Sequence, residues 1–197
     1  MIIVNDGSTD GCEKILAEFT DPRIRLINQK NSGVSATRNT GWQNSTSSYV
    51  SFLDADDEWN QDFLKYINLL LLKYPDVAAY ATHIKENKQS QVQHFSFYES
   101  QDEDAWIIQN YFDCLNKGYY PVHSSAICVK RDILIEIKGF NEILAIGEDI
   151  DTWIRIFLNY EIVLSNWYDA TYHLDALNHS TGSGISRCGS LNFYRLA

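Results

Sequence analysis

Three short stretches hold most of the side chains able to do chemistry. Asn5-Asp6-Gly7-Ser8 follows the apolar run Ile2-Ile3-Val4, and Asp54-Ala55-Asp56-Asp57 follows Tyr49-Val50-Ser51-Phe52-Leu53. Glu148-Asp149 stands later, immediately before a run of apolar residues at helical spacing. Asp54, Asp56 and Asp57 fall so close together that their charges repel unless a cation neutralises them. All the candidate ligands are oxygens, with no cysteine pair or clustered histidine nearby, which suits a hard ion such as Mg²⁺ or Mn²⁺. An acidic turn that caps the next helix would use the same residues, so the Asp54-x-Asp56 spacing alone leaves both readings open. Glu148-Asp149 reads as a charge pair at a helix start, where the dipole would keep Asp149 ionised.

These clusters need a scaffold, and the surrounding pattern supplies one. Strand-like runs (2–4, 24–27, 49–53, 77–82 and 125–129) alternate with helical stripes, which predicts an α/β layer architecture. Cys12, Ile15, Leu16 and Phe19 recur at helical spacing after Asp10, which has capping-box spacing to Glu13. A second helix opens near Gly33 and runs past Arg38. A third carries Phe63, Tyr66, Ile67, Leu70, Leu71 and Tyr74 on one stripe and stops at Pro75. Ile150, Trp153, Ile154, Phe157 and Leu158 mark another amphipathic helix. In open α/β sheets ligands collect beyond the carboxyl ends of strands, and both aspartate clusters follow strand-like runs. Residues 84–104 are polar and then acidic (Glu99, Asp102, Glu103, Asp104), which predicts a solvated loop. From 170 onward the glycines and serines predict a mobile tail.

Composition narrows the partners. With 197 residues and 45% apolar content, the chain can build one domain with a sizeable core. Twenty-six acids against sixteen Lys and Arg give a net charge of −10, which argues against nucleic acid and against a polybasic membrane anchor. The four cysteines are scattered and read as reduced, packed thiols. The stretch around Phe63–Leu72 is interrupted by Lys65 and Asn68, so it predicts no transmembrane segment, and the cytoplasm is the default compartment.

Four stretches together carry a resemblance. "IIVNDGSTDG", "NSGVSATRNTGW", "YVSFLDADDEW" and "GFNEILAIGEDIDTWIR" are similar, in order and interval, to the successive signatures of family 2 glycosyltransferases. They span residues 2–155. The resemblance implies a GT-A fold, a Rossmann-like mixed, mostly parallel sheet flanked by helices. It also implies transfer of a sugar from a nucleotide-diphospho-sugar donor to a saccharide or lipid-linked acceptor, dependent on Mg²⁺ or Mn²⁺. Carried over residue by residue, Asp6, Arg38 and Asp54 would bind the nucleotide-sugar. Asp56 would ligate the metal, Trp59 and Glu148 would lie on the acceptor side, and Asp149 would be the general base. One base and one metal fit a single displacement with inversion. Surface polysaccharide or lipooligosaccharide assembly is the setting the family suggests, at the inner face of the membrane where the acceptor brings the protein there. On this reading 1–197 is one domain, with residues 1–83 holding the donor, 84–169 serving the acceptor and catalysis, and 170–197 forming the tail.

Some features depart from that pattern. Family members usually begin with one more strand-helix unit, about 30 residues, whereas Met1 stands directly before "IIVNDGS". The expectation is therefore a truncated chain with a gap beside the first strand, and the alternative to an active enzyme is an inactive relative or a non-catalytic nucleotide-sugar-binding module. His173 and His179 are left outside the metal site. A phosphohydrolase built on a strand-end Asp-x-Asp would want a small residue where Asp57 stands, and would not need "NDGS" or "GED".

Overall fold

The computed structural model describes residues 1–88, 91–94, 104–174 and 191–196. In chain order it forms β1 (Ile2–Asn5), α1 (Cys12–Leu16), β2 (Arg25–Asn28), α2 (Val34–Gln43), β3 (Tyr49–Ser51), β4 (Glu58–Trp59), α3 (Phe63–Lys73) and β5 (Ala79–Lys88). There follow β6 (Gln91–His94), β7 (Ala105–Ile107), α4 (Tyr111–Asn116), a 3-10 turn (Ser124–Ala126), β8 (Ile127–Lys130), α5 (Arg131–Glu136), α6 (Glu148–Phe157), β9 (Ile162–His173) and β10 (Leu191–Leu196). The strands join in one mixed sheet ordered β2-β1-β10-β3-β8-β5-β9-β4, with β6 on β5 and β7 on β9. β1 pairs parallel with β2, and β5 with β9, whereas β10 and β8 run antiparallel to both of their neighbours. Two antiparallel steps restore direction, so β1, β2, β3, β5 and β9 all point the same way. Their carboxyl ends share one edge of the sheet, and the amino end of β8 arrives at that edge too.

Strand periodicity divides the core into two layers. Ala79, Ala81, Ile127, Val129, Ile162 and Leu164 pack on one face with Trp42 of α2, Leu134 of α5, and Trp153 and Ile156 of α6. The intervening Tyr80, Cys128 and Val163 pack on the other face against Phe63, Ile67 and Leu70 of α3. That helix buries its i, i+4, i+7 stripe almost completely, each fully buried large apolar side chain contributing about 1.5–3 kcal/mol. In α6 Trp153 and Ile156 are buried and Ile154 and Phe157 pack partly buried on the same core, while Leu158, expected on the stripe, is mostly exposed. No helix among the described residues is long and apolar enough to cross a membrane.

Three sequence expectations change. Residues 84–88 are not loop but the outer part of β5, held by β6 on one side and β9 on the other. Cross-strand pairing supplies what the polar side chains lack as a strand signal. Glu99, Asp102 and Glu103 lie outside the described residues. Residues 170–173 complete β9, where Trp167, Tyr168, Thr171 and Tyr172 are strand-favouring types, and residues 191–196 form β10. Gly182 to Ser186, His179 and Cys188 lie outside the described residues. The expected gap beside β1 is filled: β10 pairs with all of Ile2–Asn5 and reaches Ser51 and Val50 of β3.

One side chain ties α2 to the segment before α6. Asn39 Nδ2 donates to the Phe140 carbonyl and to Glu142 Oε1, both at 2.8 Å, while its Oδ1 accepts from the Phe140 N–H and from Trp42 Nε1, both at 2.9 Å. Arg155 grips the same segment from the other side, donating to the carbonyls of Ile137 and Gly139. Gly139 has φ +64°, and a Cβ there would stand 2.4 Å from Asn39 Oδ1 and 2.7 Å from Trp42 Nε1. Asn39 cannot yield without breaking its own bonds. Gly139→Ala should therefore cost about 3 kcal/mol from left-handed strain and overpacking together, read as a lowered urea midpoint. A loss below about 1 kcal/mol would mean that this junction moves freely.

Candidate active site

The site is built at the shared sheet edge, starting from β1. As β1 ends, Asp6 is buried and already engaged: Oδ1 accepts from Gln29 Nε2 at 2.7 Å and from the Ser32 N–H at 2.9 Å, and Oδ2 from the Gly33 N–H at 2.9 Å. The "NDG" and "NSG" signatures thus form one structural unit, in which Asp6 fixes the loop that leads into α2. Gly7 permits the approach, since a Cβ there would meet the Asn31 nitrogen at 3.0 Å. Asn5 braces the same turn, accepting from the Ser8 N–H and donating to Asn28 and Glu13.

Arg38 is the joint of the site. Its side chain is 4% exposed, with Nη2 bonded to both oxygens of Asp54 at 3.0 and 2.8 Å and Nη1 to Glu148 Oε1 at 2.8 Å. Its guanidinium also lies 5.3 Å from the centre of the Phe140 ring. One cation therefore draws the turn after β3 and the start of α6 together across 16 and 110 residues of sequence. A lysine would be a poorer joint, because its compact ammonium lacks the planar fork that presents Nη1 to one carboxylate and Nη2 to both oxygens of the other. Asp149, next to Glu148, is half-buried, and its Oδ1 accepts the N–H of Ile150 at 2.8 Å.

The turn after β3 is anchored from the 3-10 turn that precedes β8. Ser125 Oγ donates to Asp57 Oδ2 at 2.5 Å and accepts the Asp54 N–H at 3.1 Å, while the Ser125 carbonyl accepts Trp59 Nε1 at 2.6 Å. Burial, then the charges of Asp54 and Asp56, pushes the Asp57 carboxyl up to about 8, against the Ser125 bond. Asp57 Oδ1 is buried and has no hydrogen-bond partner among the described residues. Asp56 stands half-buried beside it. Trp59 stacks on Phe63 at 4.3 Å, so its ring joins the apolar layer under α3 while remaining partly open.

All seven sequence-derived residues stand at this edge, with Arg38, Asp54, Glu148, Asp149, Asp56 and Trp59 around the Arg38 and Ser125 junctions and Asp6 at the neighbouring strand exit. Two further residues belong with them, Ser125 and His123. His123 Nδ1 accepts the Ser125 N–H at 3.2 Å and lies 4.0 Å from Asp57, with Tyr172 against its ring at 5.0 Å. Desolvation holds its imidazole below the ordinary range, against the pull of Asp54, Asp149 and Asp56. The available signal was "HSS" directly before the apolar run of β8, a polar cluster at a strand's beginning. His173 ends β9, with Nε2 3.6 Å from Glu58 and Nδ1 3.3 Å from Asn87.

Among the described residues no three His, Cys, Asp or Glu side chains converge into a ready-made metal cage. The Asp54-Asp56-Asp57 set nevertheless fits a hard divalent ion that takes one or two carboxylates and completes its shell with water and substrate phosphate. The unpartnered Asp57 oxygen, in a cluster of three acids, is what such a charge would relieve.

The chain is 34% identical over 171 residues to the glycosyltransferase GlyA of Streptococcus pneumoniae, an alignment covering 83% of this chain and 24% of that protein. It is 31% identical over 186 residues to the amylovoran biosynthesis glycosyltransferase AmsB of Erwinia amylovora, covering 88% of this chain and 60% of AmsB. The fold is shared with S. aureus TarS, solved in complex with UDP-GlcNAc, at a TM-score of 0.76 and 18% identity over 93% of this chain and 52% of the TarS chain. The chain thus spans about a quarter of the pneumococcal relative and about half of the TarS structure. Residues 1–133 match the profile of glycosyl transferase family 2, well over half of the sequence, and the chain belongs to that family.

Proposed function

We propose that this chain transfers a sugar from a nucleotide-diphospho-sugar to an acceptor hydroxyl by a single inverting displacement aided by Mg²⁺ or Mn²⁺. The observation that carries the reading is the Arg38 junction, which joins the aspartate turn after β3 to the Glu148-Asp149 helix start. The two clusters have complementary uses. Asp6, Arg38 and Asp54 form the nucleotide end, and Asp56, with Asp57 adjacent, would hold the cation. When bound, that ion would stabilise negative charge on the departing diphosphate. Glu148 is occupied by Arg38, which leaves Asp149 as the carboxylate available to take a proton. The acceptor oxygen attacks the anomeric carbon as the bond to the diphosphate breaks, the bonding pair leaves on the phosphate oxygen, and Asp149 receives the acceptor's proton. Trp59 offers a partly open ring on the acceptor side. We place the reaction in polysaccharide assembly, in line with a relative named for amylovoran biosynthesis, and at the inner face of the membrane where a lipid-linked acceptor would bring the protein.

Titration calorimetry with UDP and GDP, in Mn²⁺ or Mg²⁺ and again with chelator, tests the donor site. Binding should require the metal and weaken by about tenfold or more without it, because Asp56 would hold an ion whose charge offsets that of the diphosphate. Equal affinity in both conditions would remove Asp56 from metal binding, and metal-dependent binding without transfer to any acceptor would leave a nucleotide-sugar-binding module.

A further inference from the structure

His123 is not needed by the scheme above, yet it stands inside the site. The ring precedes the 3-10 turn and caps it, since Nδ1 accepts the Ser125 N–H at 3.2 Å. A nitrogen that accepts carries no proton, so the neutral imidazole bears its hydrogen on Nε2. Tyr172 backs the ring at 5.0 Å, and Ser125 and the capping bond fix its orientation. The side chain is 27% exposed, and Nε2 bonds to none of the described residues. The charged groups near enough to act on it are Asp54 and Asp56 from the turn after β3, Asp149 from α6 and Arg38 from α2, with Asp57 4.0 Å from Nδ1.

On the proposed function, Asp54 and Asp56 belong to the nucleotide and diphosphate, and Asp149 to the acceptor hydroxyl. The anomeric carbon is bonded to the diphosphate before transfer and to the acceptor after it, so the transferred sugar lies between those two groups of acids. His123 faces both. We propose that His123 is a specificity-determining residue whose Nε2–H donates a hydrogen bond to a hydroxyl of the sugar being transferred. A neutral, pre-oriented donor suits an uncharged hydroxyl, and it adds no positive charge to compete with a cation for the neighbouring acids. This inference rests on the transferase reading.

Two substitutions separate the imidazole's two jobs. His123→Asn puts Oδ1 near the position of Nδ1 and keeps the cap, but its amide does not reach as far as Nε2. His123→Gln reaches the Nε2 position and surrenders the cap. UDP-glucose, UDP-galactose, UDP-GlcNAc and GDP-mannose are screened for binding to the native chain in Mg²⁺ or Mn²⁺, and the one bound is compared with its parent nucleotide in each variant, alongside thermal melts. His123→Asn should melt as the native chain does and bind the nucleoside diphosphate normally, but lose roughly three- to tenfold in affinity for the nucleotide-sugar. His123→Gln should melt lower and recover most of that affinity. If His123→Asn leaves nucleotide-sugar affinity unchanged, or weakens nucleotide and nucleotide-sugar equally, His123 does not contact the sugar. If Asn is tolerated and Gln alone is harmful in both measurements, the residue only caps the turn. A native chain that binds none of the four donors, nor UDP or GDP, overturns the transferase reading itself and this inference with it.

Discussion

Asp149→Asn should lower sugar transfer by about 10²–10⁴-fold, the usual range for loss of a general base, while leaving nucleotide affinity within about twofold. The substitution is nearly isosteric. Asn Oδ1 can still accept the Ile150 N–H that Asp149 accepts at 2.8 Å, so the first turn of α6 keeps its geometry. Removing one negative charge from a helix N-terminus costs only about 0.3–1 kcal/mol, too little to unfold the chain or to mimic a catalytic loss. Glu148 cannot step in as the base, because it is held by Arg38 at 2.8 Å and faces the joint between α2 and the turn after β3. Asp56→Asn supplies the contrast: as a metal ligand it should weaken nucleotide binding and turnover together. Transfer assays with a donor found by binding screens, combined with calorimetry on each variant, distinguish the two. If Asp149→Asn transfers at the native rate, the base is elsewhere and the Glu148-Asp149 pair serves the helix start alone.

The parts of this molecule legible in the sequence are those governed by local periodicity. The α3 stripe from Phe63 to Leu70, the break at Pro75, the helix carrying Arg38 and the helix opened by Glu148 all appear where spacing puts them. The Asp6 and Asp54–Asp57 clusters were visible as candidate sites for the same local reason, since each follows an apolar strand. What could not be read was strand direction. Ile127–Val129 is an apolar run whichever way it points, and a search confined to the carboxyl ends of strands passes over the residues before it. Because β8 is antiparallel to β3 and β5, its beginning reaches the edge that carries the acidic clusters and brings His123 and Ser125 with it. Long-range polar pairs were equally invisible. Asn39 to Phe140 and Arg38 to Glu148 join positions more than a hundred residues apart, and nothing in the spacing of either partner names the other. The linked signatures "ATRNTG", "GFNE" and "GED" acquire a physical reason only once Asn39, Arg38 and Arg155 are seen to lock those segments together.

That locking leads to the largest expected effect on stability. Arg38→Met should destabilise the chain by about 3–5 kcal/mol, the usual cost of removing one partner from a buried ion pair, and should weaken nucleotide binding as well. Methionine fills much of the same volume without branching, so the loss comes mainly from charge and hydrogen bonding and not from a cavity. Without the guanidinium, the Glu148 and Asp54 side chains, 11% and 22% exposed, would keep negative charge in a poorly hydrated site that already contains Asp56 and Asp57. The partial exposure of Asp54 pulls the estimate toward the lower end of that range. Arg38→Lys should fall between native and Met, since an ammonium keeps the charge but loses the bidentate fork and reach that serve Asp54 and Glu148 together. Salt distinguishes this pair from a surface one: the exposed Arg23–Asp21 bridge should lose its contribution in 1 M NaCl, whereas the Arg38 effect should persist, because buried charges are poorly screened. Urea unfolding of native, Met and Lys chains at low and high salt, with nucleotide affinity measured on each, checks the whole chain of reasoning. A Met variant within about 1 kcal/mol of the native chain, or a Lys variant equal to it, would show that the two acidic clusters are held together by something other than Arg38. The start of α6 and the turn after β3 would then have to find their alignment through the Asn39 and Ser125 networks alone.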